Sequence, residues 1–285
     1  MKIGIIGLGT MGMPMTRALV VAGHRVIAYD VSASALERAA NAGAETVTSS
    51  EEVGATAQVV LLSLPTPAHV EAVVAGNDGV LTRPTKDLVV LDTSTVDPET
   101  TRRMVVKANA AGVDYLDTPV LGRPDACGAW TFPVGGDPDA LERAKPVLEA
   151  LGRKVIHVGP SGSGNAVKLL NNLMFGAINA IAAETMAACE AVGVSPRTYY
   201  ETVVDSGAAT VSPLFRELGP KILAGDFSPA FTIDLLHKDV SLALAMMKDG
   251  GISPDIGDVV LAQIDRARIA GLGQEDTGAI VKQYV

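Results

Sequence analysis

Two cysteines in 285 residues are too few for a disulfide scaffold. Cys127 and Cys189 also lack the C-x-x-C spacing of a zinc or redox site, and their scarcity fits a reducing cytoplasm. The four histidines (His24, His69, His157, His237) are scattered, with no H-E-x-x-H pair, so no metal is expected. Positive charge is scarce as well. With 23 basic against 32 acidic residues the net charge is −9, which argues against nucleic acid or an anionic membrane surface as partner. No stretch of about 18 uninterrupted apolar residues reads as a membrane span. The apolar start Met1–Ile6 runs straight into a glycine turn, too soon for a signal peptide. No internal repeat or low-complexity tail is present. A cytoplasmic location is the expectation.

What the chain does hold is core material, 48% hydrophobic, enough for one large domain or two smaller ones. Lys2–Gly7 reads as a short apolar strand. Gly7-Leu-Gly9-Thr-Met-Gly12 follows, then a helical stretch Met13–Ala22 and a second strand Arg25–Asp30. A lone G-x-G-x-x-G is weak. Between a strand and a helix, with an acid ending the next strand, it becomes a dinucleotide site. Gly7 permits the tight turn, Gly9 lets backbone approach a pyrophosphate, and Gly12 lets helix and strand pack closely. The helix N-terminus offers N–H groups to the phosphates. Asp30 accepts from the adenine ribose hydroxyls and repels a 2′-phosphate, so the expected cofactor is NAD.

Val59–Leu64 and Leu88–Asp92 read as buried parallel strands. Ligands in doubly wound sheets lie beyond the carboxyl ends of the strands, so the loops Pro65-Thr66-Pro67 and Thr93-Ser94-Thr95 are expected to flank the nicotinamide half. Tyr115–Val120, Thr131–Val134 and Lys154–Val158 suggest further strands. The Gly-rich segment 159–164 marks a boundary. The expected architecture is an α/β Rossmann-type doubly wound domain over 1–162, and an all-α substrate and dimerisation domain over 163–285. A long apolar helix, Asn165 to about Ala191, joins them and is expected to be buried all round. Lys168, Asn171 and Asn172 share a face of its first turns, with Asn179 near the same stripe. A buried lysine needs a partner or a chemical role.

Five ordered motifs together resemble the β-hydroxyacid dehydrogenase family, along essentially the whole chain. They are Ile3–Met15 with its Gly-Leu-Gly-x-Met-Gly core, Asp92-Thr-Ser-Thr95 with Pro98, Asp117-Thr-Pro-Val120, Gly162-x-Gly-x-x-x-Lys168-x-x-Asn171-Asn172, and Phe231–Asp239. The family includes 3-hydroxyisobutyrate dehydrogenase, tartronate semialdehyde reductase and 3-sulfolactaldehyde reductase. The resemblance implies that Lys168 is the general acid/base, that Asn172 supports it and that Asn171 touches substrate. It implies cofactor contacts at Thr10, Met11, Asp30, Leu64 and Thr95. It also puts Lys238 near the nicotinamide end, held by Asp239.

One segment departs from the family pattern. Most members follow the Asp-x-Pro-Val motif with Ser-Gly-Gly, a loop that grips the substrate carboxylate; here Leu121-Gly122-Arg123 stands instead. Sulfolactaldehyde reductases carry Gly-Arg here, the arginine holding the sulfonate, but Arg123 falls one position later. Phe175 stands where that branch has a small hydroxyl residue near the anion. The substrate contacts implied are Thr95, Gly122, Arg123, Asn171 and Phe175, around a small anionic substrate. The leading expectation is an NAD-dependent oxidoreductase acting on a small β-hydroxy acid and its aldehyde acid. Sulfolactaldehyde reduction is the alternative within that chemistry. Imine reduction and a non-catalytic dinucleotide-binding protein are the others, and Lys168 argues against both. A homodimer or homotetramer is expected.

Overall fold

The computed structural model describes residues 1–284. The chain divides into two compact units, Met1–Lys168 and Leu169 onwards. The first unit alternates strand and helix: β1 (Lys2–Ile6), α1 (Gly12–Val21), β2 (Arg25–Tyr29), α2 (Ala33–Asn41), β3 (Glu45–Thr46), α3 (Ser50–Gly54), β4 (Val59–Leu62), α4 (Pro67–Ala75), β5 (Val89–Asp92), α5 (Pro98–Ala110), β6 (Asp114–Asp117), β7 (Trp130–Gly135), α6 (Pro138–Glu149) and β8 (Gly152–Gly159). The strands form one sheet in the order β3-β2-β1-β4-β5-β6-β7-β8. The order reverses between β1 and β4, the switch point at which a doubly wound sheet opens a crevice.

Strands β1 to β6 pair in parallel. Their residues therefore alternate between two covered faces rather than between core and water. Ile3, Ile5, Val59, Leu61, Val89 and Leu91 pack in one cluster with α1 and α6. Ile6, Val60, Leu62 and Val90 pack in the other with residues of α3, α4 and α5. Truncating one of these, Leu61 for instance, costs about 2–5 kcal/mol. β7 pairs antiparallel to β6, because the connection between them carries no crossover helix. The edge strand β3 has two exposed residues, Glu45 and Thr46, so no apolar pattern announces it.

The second unit is helical. The long helix α7 (Ser163–Ala191) begins in the first unit and supplies the second with its first helix. It is followed by α8 (Pro196–Ser206), α9 (Pro213–Ala224), α10 (Ile233–Asp249) and α11 (Asp255–Ile269). Ala183 of α7, Leu236, Val240 and Leu244 of α10, and Val260 and Ile264 of α11 form its main core. The α/β plus all-α architecture is as expected.

The burial of α7 is not. Val167 (38%), Leu170 (48%), Met174 (66%) and Ile181 (57%) are exposed, while Leu169, Asn172, Ala183 and Met186 are buried. The apolar residues thus include an exposed stripe, at spacings that return to one side of a helix. By length and composition alone α7 is apolar enough to cross a membrane. Its interior polar residues have partners in the helical unit instead: Asn172 bonds Asp239 of α10, and Asn179 donates to the Thr277 carbonyl at 2.7 Å.

Candidate active site

The carboxyl ends of β1, β4, β5 and β6 lie side by side, since Ile6 pairs with Leu62, Leu62 with Asp92, and Asp92 with Asp117. The glycine loop occupies the first of these ends. Gly7 has φ +92°, and a side chain there would press on the Ser63 carbonyl. A Cβ on Gly12 would run into the Gly7 carbonyl. Those two glycines answer to the protein's own packing. Gly9 does not, for a Cβ there would meet nothing within 4 Å. Its missing side chain leaves an open cradle on the loop, which fits a pyrophosphate approaching the backbone.

Helix α1 starts beside this cradle with no side chain capping its N-terminus. By contrast α2, α3, α4, α5 and α6 are each capped, by Ser32, Ser49, Thr66, Asp97 and Asp137. Uncapped amide groups of a helix start are partners for phosphate oxygens. Thr10 is exposed there, and Met11 is partly buried against the core. Asp30 follows β2 with its carboxylate held by backbone, Oδ2 accepting from Leu8 N–H at 2.7 Å and Oδ1 from Ser32 N–H at 2.8 Å. Arg38 bonds Ser34 Oγ one turn earlier on α2 at 3.4 Å.

The ends of β4 and β5 are tied together. Leu64 N–H donates to Ser94 Oγ at 3.0 Å, and Thr93 Oγ1–H donates to the Leu62 carbonyl at 2.6 Å. Beneath them Asp92 is fully buried. It accepts from Ser94 N–H at 2.9 Å and from the Tyr115 hydroxyl at 2.6 Å. Burial pushes its carboxyl up to about 6, against the lowering effect of those two hydrogen bonds. Burial drives the Tyr115 phenol well above its ordinary range for the same reason.

Asp117, at the end of β6, caps α7 from 45 positions away. Its Oδ1 accepts from Gly162 N–H at 2.8 Å and its Oδ2 from Asn165 N–H at 2.9 Å. Burial raises its carboxyl, and those backbone bonds restrain the rise. Asn165 completes the latch, its amide oxygen accepting from Val96 N–H at 3.3 Å and its nitrogen donating to Thr101 Oγ1 at 3.1 Å. Lys168, half-buried, follows within a turn of this anchor and belongs to the same compact unit. Thr95 lies between Ser94 and the latched Val96, half-buried.

The loop after β6 is braced by the single tryptophan. Leu121 bridges Thr131, Gly122 lies where a Cβ would strike the Trp130 ring, and Trp130 Nε1–H donates to the Arg123 carbonyl at 2.6 Å. This sets the Arg123 backbone. Thr118 Oγ1, fully buried just before the loop, has no hydrogen-bond partner.

In the helical unit Asn171 is exposed and donates to Asn172 Oδ1 at 3.1 Å, while Asn172 is buried and donates to Asp239 Oδ2 at 2.5 Å. Lys238 Nζ stands 2.9 Å from the other oxygen of Asp239. Asn171, Asn172, Asp239 and Lys238 therefore form one chain of contacts. Phe175 packs edge-to-face on Phe231, ring centres 5.6 Å apart, at the margin of the helical core. Asn179 lies deeper, buried against Thr277.

Sequence reasoning missed the roles of Tyr115, Ser94 and Asn165, and of Asp92 and Asp117 as buried struts. Only the carboxylates left a signal, each being a charge at the end of an apolar strand. Among the described residues no group of three or more His, Cys, Asp or Glu side chains is arranged to hold a metal ion.

Residues 2–159 match the family described as the NAD binding domain of 6-phosphogluconate dehydrogenase. Residues 162–284 match that described as NAD-binding of NADP-dependent 3-hydroxyisobutyrate dehydrogenase. The chain is 35% identical over 284 residues to 3-sulfolactaldehyde reductase of Escherichia coli, covering 99% of this chain and 95% of the relative. It is 34% identical over 285 residues to 2-(hydroxymethyl)glutarate dehydrogenase of Eubacterium barkeri, covering 99% and 94%. Among solved structures, 3-hydroxyisobutyrate dehydrogenase from Salmonella typhimurium superposes with a TM-score of 0.91 at 28% identity, over 99% of both chains.

Proposed function

This chain belongs to the β-hydroxyacid dehydrogenase family and uses a nicotinamide dinucleotide, and from that premise we propose that it interconverts a small anionic β-hydroxy acid and its aldehyde acid, with Lys168 as general acid/base. The observation that carries the reading is the latch on α7. Asp117 and Asn165 hold the turn before Lys168 against the ends of β5 and β6, the same sheet edge that carries the Gly9 cradle, Asp30, Leu64 and Thr95. The bound dinucleotide supplies the hydride donor or acceptor. The Lys168 ammonium gives a proton to the substrate oxygen in reduction, and its neutral amine takes that proton back in oxidation. Asn172 steadies the reacting oxygen and is itself oriented by Asp239, which also holds Lys238.

Asp30 favours NAD over NADP, because its backbone-held carboxylate offers acceptors to ribose hydroxyls and repulsion to a 2′-phosphate. Arg123 takes the anionic group of the substrate through the forked donors of its guanidinium. The Trp130 brace on its carbonyl supports a fixed loop there. The E. coli relative is named for a sulfonate and the E. barkeri relative for a dicarboxylate, so both anion classes belong in the test. Homo-oligomerisation belongs to the same proposal: the stripe Val167, Leu170, Met174 and Ile181 suits burial against a second copy. Light scattering of wild type and Met174→Glu checks it, and an unchanged mass in the variant counts against this face.

The deciding experiment is a kinetic panel of 3-hydroxyisobutyrate, glycerate, 3-hydroxypropionate, serine and dihydroxypropanesulfonate, each with NAD and with NADP. Turnover of at least one acid with NAD is expected. Cofactor binding without turnover of any would return the chain to a non-catalytic dinucleotide-binding role. Arg123→Ala should raise KM for charged substrates far more than for neutral aldehydes. An equal rise for both makes the arginine structural.

A further inference from the structure

Asp92 is fully buried at the end of β5, and none of its hydrogen-bond partners is a cation. Its neighbours identify its role. On its own loop, Ser94 folds back so that its N–H donates to Asp92 Oδ1 at 2.9 Å, a side-chain-closed turn. On β6, the Tyr115 hydroxyl donates to Asp92 Oδ2 at 2.6 Å, and the register partner of Asp92 is a second carboxylate, Asp117. On β4, the register partner is Leu62. Helix α5 buries Thr100, Thr101, Met104 and Ala108, and α4 buries Val70 and Val74, none of which titrates. The turn closed by Asp92 sets the direction of the Ser94 hydroxyl, which in turn accepts the Leu64 N–H at 3.0 Å. One carboxylate thus fixes two loops, Leu64–Pro65 directly above Ser94 and Thr95 immediately after it.

We propose that Asp92 is a proton-sensitive positioning residue for the cofactor: ionised, it holds the Leu64–Pro65 and Ser94–Thr95 loops in their binding arrangement through Ser94, and protonated, it lets them loosen. The proposal rests on the reading that these loops flank the nicotinamide half of the dinucleotide. The chemistry is that of acceptor strength. A carboxylate accepts from Tyr115 and Ser94 at once, and bonds to an ionised acceptor are about twice as strong as neutral ones. After protonation one oxygen carries the hydrogen, so the Tyr115 hydroxyl must turn round to accept it or lose the bond. The remaining carbonyl oxygen is a weaker acceptor for Ser94 N–H, and the turn over it slackens. Burial together with the negative charge of Asp117 raises the Asp92 carboxyl to about 6, which brings the change into an accessible range. Asp117 does not substitute for it, since its two oxygens are committed to Gly162 and Asn165.

The sign follows from linkage. If the ionised form binds the cofactor better, affinity is full above the Asp92 inflection and falls as pH drops through it, and binding releases a proton near the inflection. The test is calorimetric titration of NAD+ into the intact protein, in two buffers of different ionisation enthalpy, from about pH 8 to about pH 5. In wild type the affinity should fall about fivefold across that range, with proton release near the inflection. Tyr115→Phe removes the donor that favours the ionised form, so its inflection should move to higher pH. Asp92→Asn should flatten this step and abolish the proton release. Ser94→Ala keeps the carboxylate but cuts its link to Leu64, and should shrink the step even if Asp92→Asn does not fold. A flat wild-type profile overturns the proposal, as does a full step surviving in Asp92→Asn or Ser94→Ala. Absence of NAD+ binding at every pH overturns the assignment of the loops, and the relay with it.

Discussion

The carboxylates that matter most in the two compact units find their hydrogen-bond partners differently. In the sheet unit, Asp30 and Asp117 spend both oxygens on backbone, on Leu8 and Ser32 and on Gly162 and Asn165, while Asp92 divides its own between the Ser94 N–H and the Tyr115 hydroxyl. In the helical unit, Asp239 spends its oxygens on side chains, Asn172 and Lys238. A carboxylate bonded to backbone shapes a loop or anchors a helix start. A carboxylate bonded to side chains orients those side chains. The comparison predicts that changes in the sheet unit act mainly through cofactor affinity and loop geometry. Changes along the Asn172–Asp239–Lys238 chain should act mainly through turnover.

The largest effect tests where the two meet in the chain, at the last residue of the sheet unit. Lys168→Ala should lower kcat by about 10²–10⁴-fold while leaving NADH affinity, read by cofactor fluorescence, nearly unchanged. A variant keeping more than about a tenth of wild-type kcat removes Lys168 from the acid/base role.

Next comes the side-chain-bonded carboxylate. Asp239→Ala strips a buried partner from Asn172 and from the partly exposed Lys238. The expected loss is about 2–3 kcal/mol in urea unfolding, with a drop in kcat larger than any change in cofactor affinity. If affinity falls while kcat holds, the contrast between the units is wrong.

The fully buried Asp92 gives a pH signature. The Asp92 carboxyl sits at about 6 in the folded protein against an ordinary value of 3.8, so folding favours its protonated form. That contribution is fully present below the ordinary value and is lost as pH rises through the folded one. Asp92→Asn escapes this loss. Its stability relative to wild type should improve by up to about 3 kcal/mol between acidic pH and pH about 8. A pH-independent difference between the two proteins refutes a raised Asp92.

The smallest effect is cofactor choice. The Asp30 carboxylate should give NAD at least a roughly tenfold advantage over NADP in kcat/KM, about 1.4 kcal/mol. Equal use of both cofactors contradicts the assignment to Asp30.

Much of the sheet unit was legible because its signals are local. A strand, G-x-G-x-x-G, a helix and a closing acid occupy the first thirty or so positions, and each depends on near neighbours. Apolar runs at β4 and β5 announced buried parallel strands, whereas β3 carries no such run and escaped notice. The Lys168-Asn171-Asn172 spacing picked out polar groups sharing a face of α7 for the same local reason. Its burial was misread, since apolar composition on all sides was taken for core on all sides. Exposure depends on which other elements pack against a helix, and Met174 and Ile181 have too little packed on them.

By itself, then, the sequence determined most of the strand and helix alternation, the dinucleotide loop, the acid at Asp30 and the lysine on the long helix. Periodicity and turn chemistry act over a few residues, and a short stretch of chain contains all their terms. Tertiary structure decided the rest: the antiparallel β7, Asp117 capping a helix 45 positions on, Asn172 meeting Asp239 across 67 positions, and Tyr115 and Ser94 closing on Asp92. Those partnerships exist because a buried polar group must find its hydrogen bonds within the fold. Which distant group answers is set by the packing of strands and helices rather than by distance along the chain.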